Sequence, residues 1–511
     1  MTAVTLGLDV GTSGVKAILV TGRGDVIAAA TTGLRMSTPR PGWAEQDPDA
    51  WWDASVASVR AVLAQRPDVR VIAAGISGQM HSSVFLDRDA KVIRPALLWC
   101  DGRTTAECRE IVEASGGEAQ LREWVRNPAL EGFTLPKVLW LRRHEPEAFA
   151  RLTTVMLAKD FVRLRLTGLS ATEPSDASGT LMLDPATLTW SQPLLDAVGL
   201  SADLLPTVGG SQAILGQVTA DGARATGLPI GTPVVGGGAD NACGAAGVGV
   251  VAPGEGVSSW GTSGTVLAPT AEPVVDPGLR AHTFCHVVPG VWYLMGVVLS
   301  AGGAFAWYRD QLARDLVAEQ GAEPGAEPGA DELLDAEAAA IAPGAEGITF
   351  LPYLQGERTP HRDAAARGAF TGISLAHTRA HLTRAVLEGI TFALRDSLAI
   401  LQELGCAPRE MLLTGGGARS ALVRRLQGEI FGLPVATVNR EEGPAYGAAL
   451  LAAVGIGQYP DLASAANATL TRSAAEPPGT GMHARYDEAY GRFRALYPAL
   501  SAAALRARSD A

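Results

Sequence analysis

The sequence predicts an α/β fold that is built from two similar halves. Strand-like and helix-like segments alternate along most of its 511 residues, which is typical of sheets covered by helices. A Gly-Thr-Ser-Gly turn between two apolar segments occurs at Gly11–Gly14 and again at Gly261–Gly264, with similar surroundings. The spacing is far longer than the period of a solenoid repeat, so it indicates duplication of a whole domain. We expect one domain over residues 1–246 and a second over 247–511.

The first half begins with short apolar segments that are separated by glycine turns. Three strands joined by tight turns are predicted at Thr5–Val10, Val15–Thr21 and Val26–Thr32. Asp47-Pro48 is a helix start signal, and apolar side chains then recur on one side from Asp49 to about Gln65. Further strands are expected at Val71–Ile76 and Ser83–Leu86.

The second half repeats this pattern. Its predicted strands are Gly256–Trp260, Thr265–Ala268, Trp292–Leu299, Met411–Leu413 and Val435–Val438. Its predicted helices are His381–Leu404, Arg419–Phe431 and Gly443–Val454. The acidic, low-complexity segment Gln320–Ala340 is expected to be a solvated surface insertion, helical at its end and without catalytic residues.

Composition and charge limit the possible partners. The formal net charge of −11 argues against general affinity for nucleic acid or anionic membranes, which requires basic surface. The N-terminus lacks the basic region of a signal peptide, and no long uncharged apolar segment is present. The five cysteines are scattered without a C-x-x-C pair, as in proteins with reduced thiols. We therefore expect a cytoplasmic protein with no nucleic-acid or membrane partner.

The glycine clusters do not match the common nucleotide-binding motifs. No P-loop pattern is present, and Gly236–Asn241 and Gly415–Ser420 fail the dinucleotide fingerprint at the sixth position. A Gly-Thr-Ser-Gly turn can hold an anion, because glycines allow successive backbone N–H groups to converge and the hydroxyls add donors. A single turn of this kind is more typical of an ordinary hairpin. Two equivalent turns in two similar halves favour a clasp around one polyphosphate.

Ordered motifs over nearly the whole chain resemble the FGGY carbohydrate kinases, within the actin–hexokinase–Hsp70 superfamily. The stretches that carry the resemblance include LDVGTSGVK, WAEQDPDAWW, ISGQMH, GFTLPKVLWLRRHEPE, SDASGT, GGGADNACGA, WGTSG, FLPYLQGERTP, LTGGGARS and GPAYGAALLA. The resemblance implies two duplicated actin-like (ribonuclease H-like) domains with a catalytic cleft between them. The N-terminal domain would bind sugar and carry the catalytic base, and the C-terminal domain would bind ATP. A homodimer is also implied.

The implied activity is phosphorylation of a sugar by ATP with Mg²⁺. The SGQMH stretch resembles family members that phosphorylate D-xylulose on O5, a step of D-xylose catabolism. Cys100 stands where the family usually has Asn, and Ser82 where it has Gly, so another ketopentose or a pentitol, such as ribulose or arabinitol, stays open. A third possibility is a nucleotide-switched binding protein like actin or Hsp70. Asp240 beside a sugar-type motif speaks against it, because a chaperone needs no base directed at an alcohol.

The resemblance also assigns roles to individual residues. Asp240, after a strand and a glycine cluster, is the expected general base, with a helix cap as the alternative. Asp9 is expected to hold Mg²⁺ through water, with a structural turn acid as the alternative. The residues expected to bind sugar are Met80, His81, Asp101, Arg103 and Asn241, where Met80 can act through its backbone and Asp101 and Arg103 can support the pocket from behind.

The phosphates and the nucleoside are assigned to the glycine turns. In the first half the expected phosphate contacts are Gly11, Thr12, Ser13, Gly14 and Lys16, although Lys16 can equally be an exposed strand lysine. In the second half they are Gly261, Thr262 and Ser263. The adenosine is expected near Gly415, Gly416 and Gly417, where the absence of side chains lets the backbone approach the ligand.

Overall fold

The computed structural model describes residues 1–316 and 329–509, and its chain forms two compact units. The first unit comprises Met1–Ala252, Pro269–Tyr293 and Glu442–Thr471. The second comprises the described residues of Pro253–Ala268, Leu294–Glu441 and Arg472–Ala511. The units therefore interleave along the chain. The functional division of the chain at residue 246 stays a prediction.

The first unit is organised by one mixed sheet. Its strands lie in the order Ile214–Gln217, Pro233–Val235, Val69–Gly78, Thr2–Val10, Gly14–Thr21 and Val26–Gly33. The last three strands form an antiparallel meander, whereas Val69–Gly78 runs parallel to Thr2–Val10 and Pro233–Val235 runs parallel to Val69–Gly78. The short strand Gly238–Ala239 continues this parallel pairing beside Val69–Gly78.

The main sheet of the second unit has the same plan. Its strands lie in the order Trp292–Val298, Gly264–Thr270, Gly256–Trp260, Met411–Thr414 and Val435–Ala436. Gly256–Trp260 is antiparallel to the strand after its turn and parallel to Met411–Thr414, which in turn is parallel to Val435–Ala436. A glycine turn followed by the return strand thus occurs at the same place in both sheets, which confirms the predicted duplication.

Helices cover these sheets. Those of the first unit are Pro48–Gln65, Thr105–Ala114, Glu118–Val125, Thr134–His144, Pro146–Phe149, Ala158–Thr167, Pro174–Ala177, Gln192–Val198, Ala220–Thr226, Asp240–Gly247, Pro444–Gly455 and Leu462–Thr469. Those of the second unit include Gly302–Leu312, Ala330–Ala339, Arg379–Glu403, Ala421–Phe431 and Met482–Ser509. Short 3₁₀ turns lie at Ser178–Thr180, Ala202–Leu204, Ala345–Gly347 and Gly416–Arg419.

Small strand pairs complete the fold. In the first unit these are Glu45–Gln46 with Ala96–Leu97, Val84–Leu86 with Thr154–Met156, Ala171–Thr172 with Thr207–Val208, and Leu183–Asp184 with Thr189–Trp190. The first unit also contains strand His282–Cys285. In the second unit Thr349–Leu351 pairs with Ala369–Thr371.

Helix Pro444–Gly455 packs on the sheet of the first unit although it lies far along the chain. Two glycines make this close packing possible. A Cβ on Gly7 would overlap the carbonyl oxygen of Ala445, and one on Gly75 would overlap that of Ala448. The helix backbone therefore rests directly on the strands, which places its buried alanines and leucines in the core.

The strands and helices predicted from the sequence are confirmed, with ends that differ by a few residues. One prediction is confirmed only in part: residues 330–339 of the acidic segment form a helix, whereas 320–328 lie outside the described residues. No helix within 1–316 and 329–509 combines the length and the apolar character needed to cross a bilayer.

Candidate active site

Asp9 is the penultimate residue of the first strand, two positions before the first glycine turn. The turn is closed by a hydrogen bond from the Gly11 N–H to the Gly14 carbonyl, at 3.1 Å. Asp9 pairs in register with Lys16 on one neighbouring strand and with Ser77 on the other. Burial raises the pKa of Asp9 to about 6, and the Ser77 hydroxyl and the Lys16 ammonium offset part of this effect.

The surroundings of Asp9 fit a hydrated magnesium ion. Its Oδ1 atom is buried and accepts no hydrogen bond from any residue that the structure describes. A carboxylate oxygen without a donor is suited to a cation or to a water on that cation. Within residues 1–316 and 329–509 no three His, Cys, Asp or Glu side chains gather into a metal site. Mg²⁺ in proteins usually keeps several waters and takes only one or two carboxylates.

A network of side chains fixes the first turn. The Thr12 hydroxyl donates to Gln79 Oε1 at 3.0 Å and accepts from Trp99 Nε1 at 3.0 Å. The Thr12 carbonyl accepts from Gln46 Nε2 at 2.7 Å, and Gln46 is held in turn by Trp51 Nε1 at 3.0 Å. The Thr12 side chain is thus already engaged, whereas the neighbouring Ser13 is exposed.

Sequence reasoning missed this network. Gln46, Trp51 and Gln79 lie in two of the motifs that carry the family resemblance, but nothing in their spacing shows that they meet at Thr12. Trp99 is 87 residues from Thr12 along the chain. The only signal was the resemblance of those stretches to the family, which does not say what their side chains contact.

Asp240 begins a helix at the same end of the sheet as Asp9. Gly238 and Asp9 are both register partners of Ser77, one on each side of the central strand. The N-cap position of helix Asp240–Gly247 is Ala239, with no side-chain cap bond. Asp240 is the first residue of this helix, and because its Oδ1 accepts the Asn241 N–H, a capping role stays an alternative.

Asn241 holds one oxygen of the Asp240 carboxyl group. Its backbone N–H and its Nδ2 both donate to Asp240 Oδ1, at 2.7 and 2.9 Å. Burial, and to a lesser extent the negative charge of Asp9, raise the pKa of Asp240, the bonds from Asn241 lower it, and the net result is a pKa of about 7. Among the described residues, none donates a hydrogen bond to Oδ2. The group is therefore a carboxyl with a pKa near neutrality and one oxygen left for a ligand.

Met80 contacts Asn241, and His81 directly follows Met80 in the chain. Asn241 Nδ2 donates to Met80 Sδ at 3.7 Å. His81 adopts a left-handed backbone conformation with φ of 66°, which is uncommon for a residue with a side chain. Its carbonyl accepts hydrogen bonds from Lys137 Nζ and from the Thr134 hydroxyl, at 3.0 and 3.1 Å, and these bonds stabilise the conformation.

The His81 ring has a defined orientation. Its Nδ1 is hydrogen-bonded to the Gly179 carbonyl, so Nδ1 carries the proton and Nε2 of the neutral ring is an acceptor. The ring centroid lies 4.7 Å from that of Phe133 and 6.0 Å from that of Phe284. A Cβ on Gly179 would lie 2.9 Å from His81 Nδ1, which explains the glycine at that position.

Asp101 and Arg103 bind chiefly to each other. Arg103 Nη2 lies 2.6 Å from Asp101 Oδ2, and both side chains are almost fully buried. Asp101 also accepts the Ala44 N–H at 2.7 Å, and the Arg103 guanidinium stacks on Trp43 at 3.6 Å and pairs with Glu45 at 2.8 Å. These contacts fix the segment around residues 43–45, as expected of a pair that supports a pocket from behind.

The second unit brings its two predicted glycine turns together. The Gly261 N–H donates to the Ser263 carbonyl at 3.0 Å. Gly415 has φ of 79°, and a Cβ there would lie 2.5 Å from the Trp260 carbonyl oxygen. A Cβ on Gly417 would lie 2.5 Å from Trp260 Cγ. Both glycines thus allow the 415–417 turn to pack against the strand that leads into the 261–264 turn.

The N-terminus of helix Gly302–Leu312 holds this second turn. The Gly302 N–H donates to the Gly261 carbonyl at 2.8 Å, and the Ala301 and Gly303 N–H groups donate to the Thr262 carbonyl at 3.0 and 2.9 Å. Because these amides are used within the protein, the helix N-terminus is not itself an anion site. Phosphate contacts in this unit would therefore come from the exposed turn.

Comparisons with known proteins agree with this arrangement. Residues 4–247 match the N-terminal domain of the FGGY family of carbohydrate kinases, and residues 256–456 match its C-terminal domain. The chain is 41% identical to the xylulose kinase of Escherichia coli over 88% of this chain and 89% of that protein. It is 38% identical to the xylulose kinase of Bacillus subtilis over 96% of each.

A solved structure is similar over nearly the whole length. The kinase from Brucella ovis, described as a xyloylose kinase, has a TM-score of 0.89 and 36% sequence identity, covering 98% of this chain and 99% of that one. Both family domains and their order thus agree with the duplicated sheets. The chain belongs to the FGGY family of carbohydrate kinases.

Proposed function

We propose that this protein transfers the γ-phosphoryl group of ATP to O5 of D-xylulose. Relatives named xylulose kinases are 36–41% identical to it over most of the chain. The observation within the chain that carries the proposal is Asp240, a carboxyl with a pKa of about 7 that is held by Asn241, which in turn contacts Met80.

Asp240 is the proposed general base. Its Oδ2 atom accepts the proton of the attacking hydroxyl as that oxygen approaches the γ-phosphorus, and Asn241 holds Oδ1 in place throughout. A base with a pKa near neutrality combines a useful ionised fraction with proton affinity at physiological pH. The Asp9 charge favours return of the proton to Asp240.

Magnesium would be held at Asp9. When bound, Mg²⁺ offsets negative charge on the ATP phosphates. The Asp9 carboxylate would orient a water on the ion through its partnerless Oδ1. The ionised form of Asp9 is favoured by Lys16 and Ser77, so the group can act as an acceptor at neutral pH.

The sugar is assigned to the group around Asn241. His81 Nε2 would accept a sugar hydroxyl, because Nδ1 is committed to Gly179. Met80 and Asn241 would border the same hydroxyl-binding region. Asp101 and Arg103 stay predicted sugar-binding residues, and their mutual pairing supports the indirect alternative.

The ATP contacts are assigned within each unit. In the first unit they are Gly11, Thr12, Ser13, Gly14 and Lys16. In the second they are Gly261, Thr262, Ser263, Gly415, Gly416 and Gly417. The stacking of the 415–417 turn on Trp260 supports this grouping. A cytoplasmic location agrees with the five free thiols, and a homodimer stays a prediction.

A related substrate is the second candidate. Ser82 departs from the family pattern, and its hydroxyl donates to Gln79 Oε1 at 3.1 Å. Ser82 therefore belongs to the network around Thr12 and can alter the position of the neighbouring His81. Ribulose or arabinitol would then be the preferred sugar.

A coupled assay of ADP release tests the proposal. Wild-type protein is compared on D-xylulose, D-ribulose, L-ribulose, D-arabinitol, xylitol and glycerol, with and without Mg²⁺. We expect the highest kcat/KM with D-xylulose and none without the metal. A higher kcat/KM with another ketopentose or pentitol would favour the second candidate, and the absence of sugar-stimulated turnover would contradict both.

A further inference from the structure

A buried carboxylate lies at the centre of a hydrogen-bond network behind the Asp240 turn. Glu173 is fully buried. Its Oε1 accepts from the Ser175 hydroxyl at 2.8 Å and the Asp176 N–H at 2.9 Å. Its Oε2 accepts from the Ser175 N–H at 2.9 Å and the Ser211 hydroxyl at 2.6 Å. Four donors therefore fix the positions of two serines.

The charge of this carboxylate is compensated within the fold. Lys159 Nζ lies 3.5 Å from Glu173 Oε1 and 2.7 Å from Asp160 Oδ1. Arg163 Nη2 lies 3.1 Å from the same Asp160 oxygen. All four side chains are buried. Burying such a network costs free energy. Its directional polar contacts fix the positions of the side chains, which an apolar cluster would not do.

Both serines hold the backbone that carries Asp240. The Ala239 N–H donates to the Ser175 hydroxyl at 3.0 Å, and Ala239 directly precedes Asp240. The Gly237 N–H donates to the Ser211 carbonyl at 3.0 Å. The Ser175 hydroxyl thus donates to Glu173 and accepts from the turn, and it forms a direct link between the two.

The turn that precedes Asp240 is packed closely against neighbouring backbone at Gly236 and Gly237. Gly237 has φ of 77°, and a Cβ on it would overlap the Ile76 carbonyl. A Cβ on Gly236 would overlap the Gly210 carbonyl. The turn is therefore packed against two backbone segments, and its last N–H before Asp240 is set by a single side-chain hydroxyl.

We propose that Ser175 is a positioning residue for Asp240, and that Glu173 fixes the orientation of its hydroxyl. The proposal rests on the proposed function, in which Asp240 is the base. A small displacement of a base from its hydroxyl lowers the rate steeply, because proton transfer requires hydrogen-bond geometry. Ser175 acts only through the position of Asp240 and does not touch the sugar or ATP.

The test is a double-mutant cycle with the purified full-length protein. Ser175→Ala is expected to lower kcat with D-xylulose about tenfold, with KM for ATP and sugar changed less than about twofold. In the Asp240→Asn background the same substitution should leave the residual rate unchanged, because the base it positions is gone.

The matched control is Ser178→Ala. Ser178 is equally buried in the 3₁₀ turn that follows the Ser175 helix, but its hydroxyl donates to the Ser175 carbonyl and accepts from the Cys285 N–H. We expect it to lower the melting temperature as much as Ser175→Ala while kcat stays within about twofold of wild type. Equal kcat losses in the two variants would overturn the proposal.

Further outcomes separate this inference from the function on which it rests. A tenfold loss from Ser175→Ala that persists in the Asp240→Asn background would overturn the positioning role alone. Full kcat in Asp240→Asn by itself would instead overturn the assignment of the base. If Ser175→Ala does not fold, Ser211→Ala takes its place in the cycle. Ser211→Ala removes a hydroxyl donor to Glu173 and keeps the carbonyl that accepts the Gly237 N–H. We therefore expect a smaller loss of kcat, which again disappears in the Asp240→Asn background. A loss of kcat that is additive with that of Asp240→Asn would overturn the proposal.

Discussion

Glu357 provides a test of the electrostatics of the second unit. The side chain is 1% exposed, and its Oε1 accepts the Leu299 and Arg358 N–H groups at 3.0 and 2.7 Å. Its Oε2 is buried without a hydrogen bond from any described residue. Burial raises the pKa of Glu357 from 4.5 to about 8, and the two amides lower it only in part. Glu357→Gln keeps the accepting oxygen and cannot ionise.

The sign of the effect follows from proton binding. Between pH 4.5 and about 8 the folded protein retains the Glu357 proton, whereas the unfolded chain releases it. This group therefore lowers the free energy of unfolding as pH rises through that window, and above it causes no further change. The cost at about pH 9 approaches 5 kcal/mol, whereas at about pH 5.5 it is between about 1 and 2 kcal/mol. Glu357→Gln avoids this cost, so its stability relative to wild type should rise by about 3 kcal/mol over that range.

Thermal unfolding at the two pH values measures this difference. We expect Glu357→Gln to melt several degrees above wild type at about pH 9 and close to it at about pH 5.5. Glu388→Gln is the contrasting variant, because Glu388 pairs with buried Arg384 at 2.6 Å and its loss should destabilise at both pH values. The reasoning is refuted if Glu357→Gln lowers the melting temperature equally at both.

Three further outcomes concern activity. The kcat/KM for D-xylulose should rise with pH and level off above about 7, because Asp240 must lose its proton to act as a base; a profile that is flat from about pH 5.5 to 8.5 would contradict this. Lys137→Met removes a donor to the His81 carbonyl, so KM for D-xylulose should rise about tenfold with KM for ATP unchanged, and the reverse pattern would contradict the sugar assignment. Gly417→Ala places a Cβ against the Trp260 indole ring and should raise KM for ATP about tenfold. The control Gly491→Ala, whose Cβ meets nothing within 4 Å, should leave KM for ATP unchanged. Equal effects of the two substitutions would contradict a role of the 415–417 turn in ATP binding.

The sequence predicted the repeated sheets well, because their signals are local. Apolar runs between glycine turns define Thr2–Val10 and Gly14–Thr21 as strands, and the second turn repeats them. Helix Pro444–Gly455 was predicted as a helix, but sequence order gave no sign that it packs in the first unit. That placement depends on close contacts with Gly7 and Gly75, which are separated from the helix by hundreds of residues.

The candidate site was predictable only as a set of residue types. Asp9 and Asp240 were recognisable because Asp9 ends a strand, Asp240 follows one, and both lie in stretches that resemble family motifs. The residues that contact this region could not be predicted. Ser77 is the register partner of Asp9 on one side and of Gly238 on the other, and Trp99 reaches Thr12 from a distant loop. The network that joins Lys159 to Glu173 and the Asp240 turn was not predictable either, because it depends on tertiary packing of several short elements.

The most direct test of the account is to compare D-xylulose phosphorylation with ATP binding in Asp240→Asn. The substitution keeps the size of the side chain and removes its capacity to accept a proton, so kcat should fall by at least about a hundredfold. The affinity for MgATP, measured by calorimetry, should stay within about threefold of wild type. Asp221→Asn, at an exposed position of the same unit, is the control. A kcat that stays within a fewfold of wild type in Asp240→Asn would contradict the central claim that this carboxylate is the base.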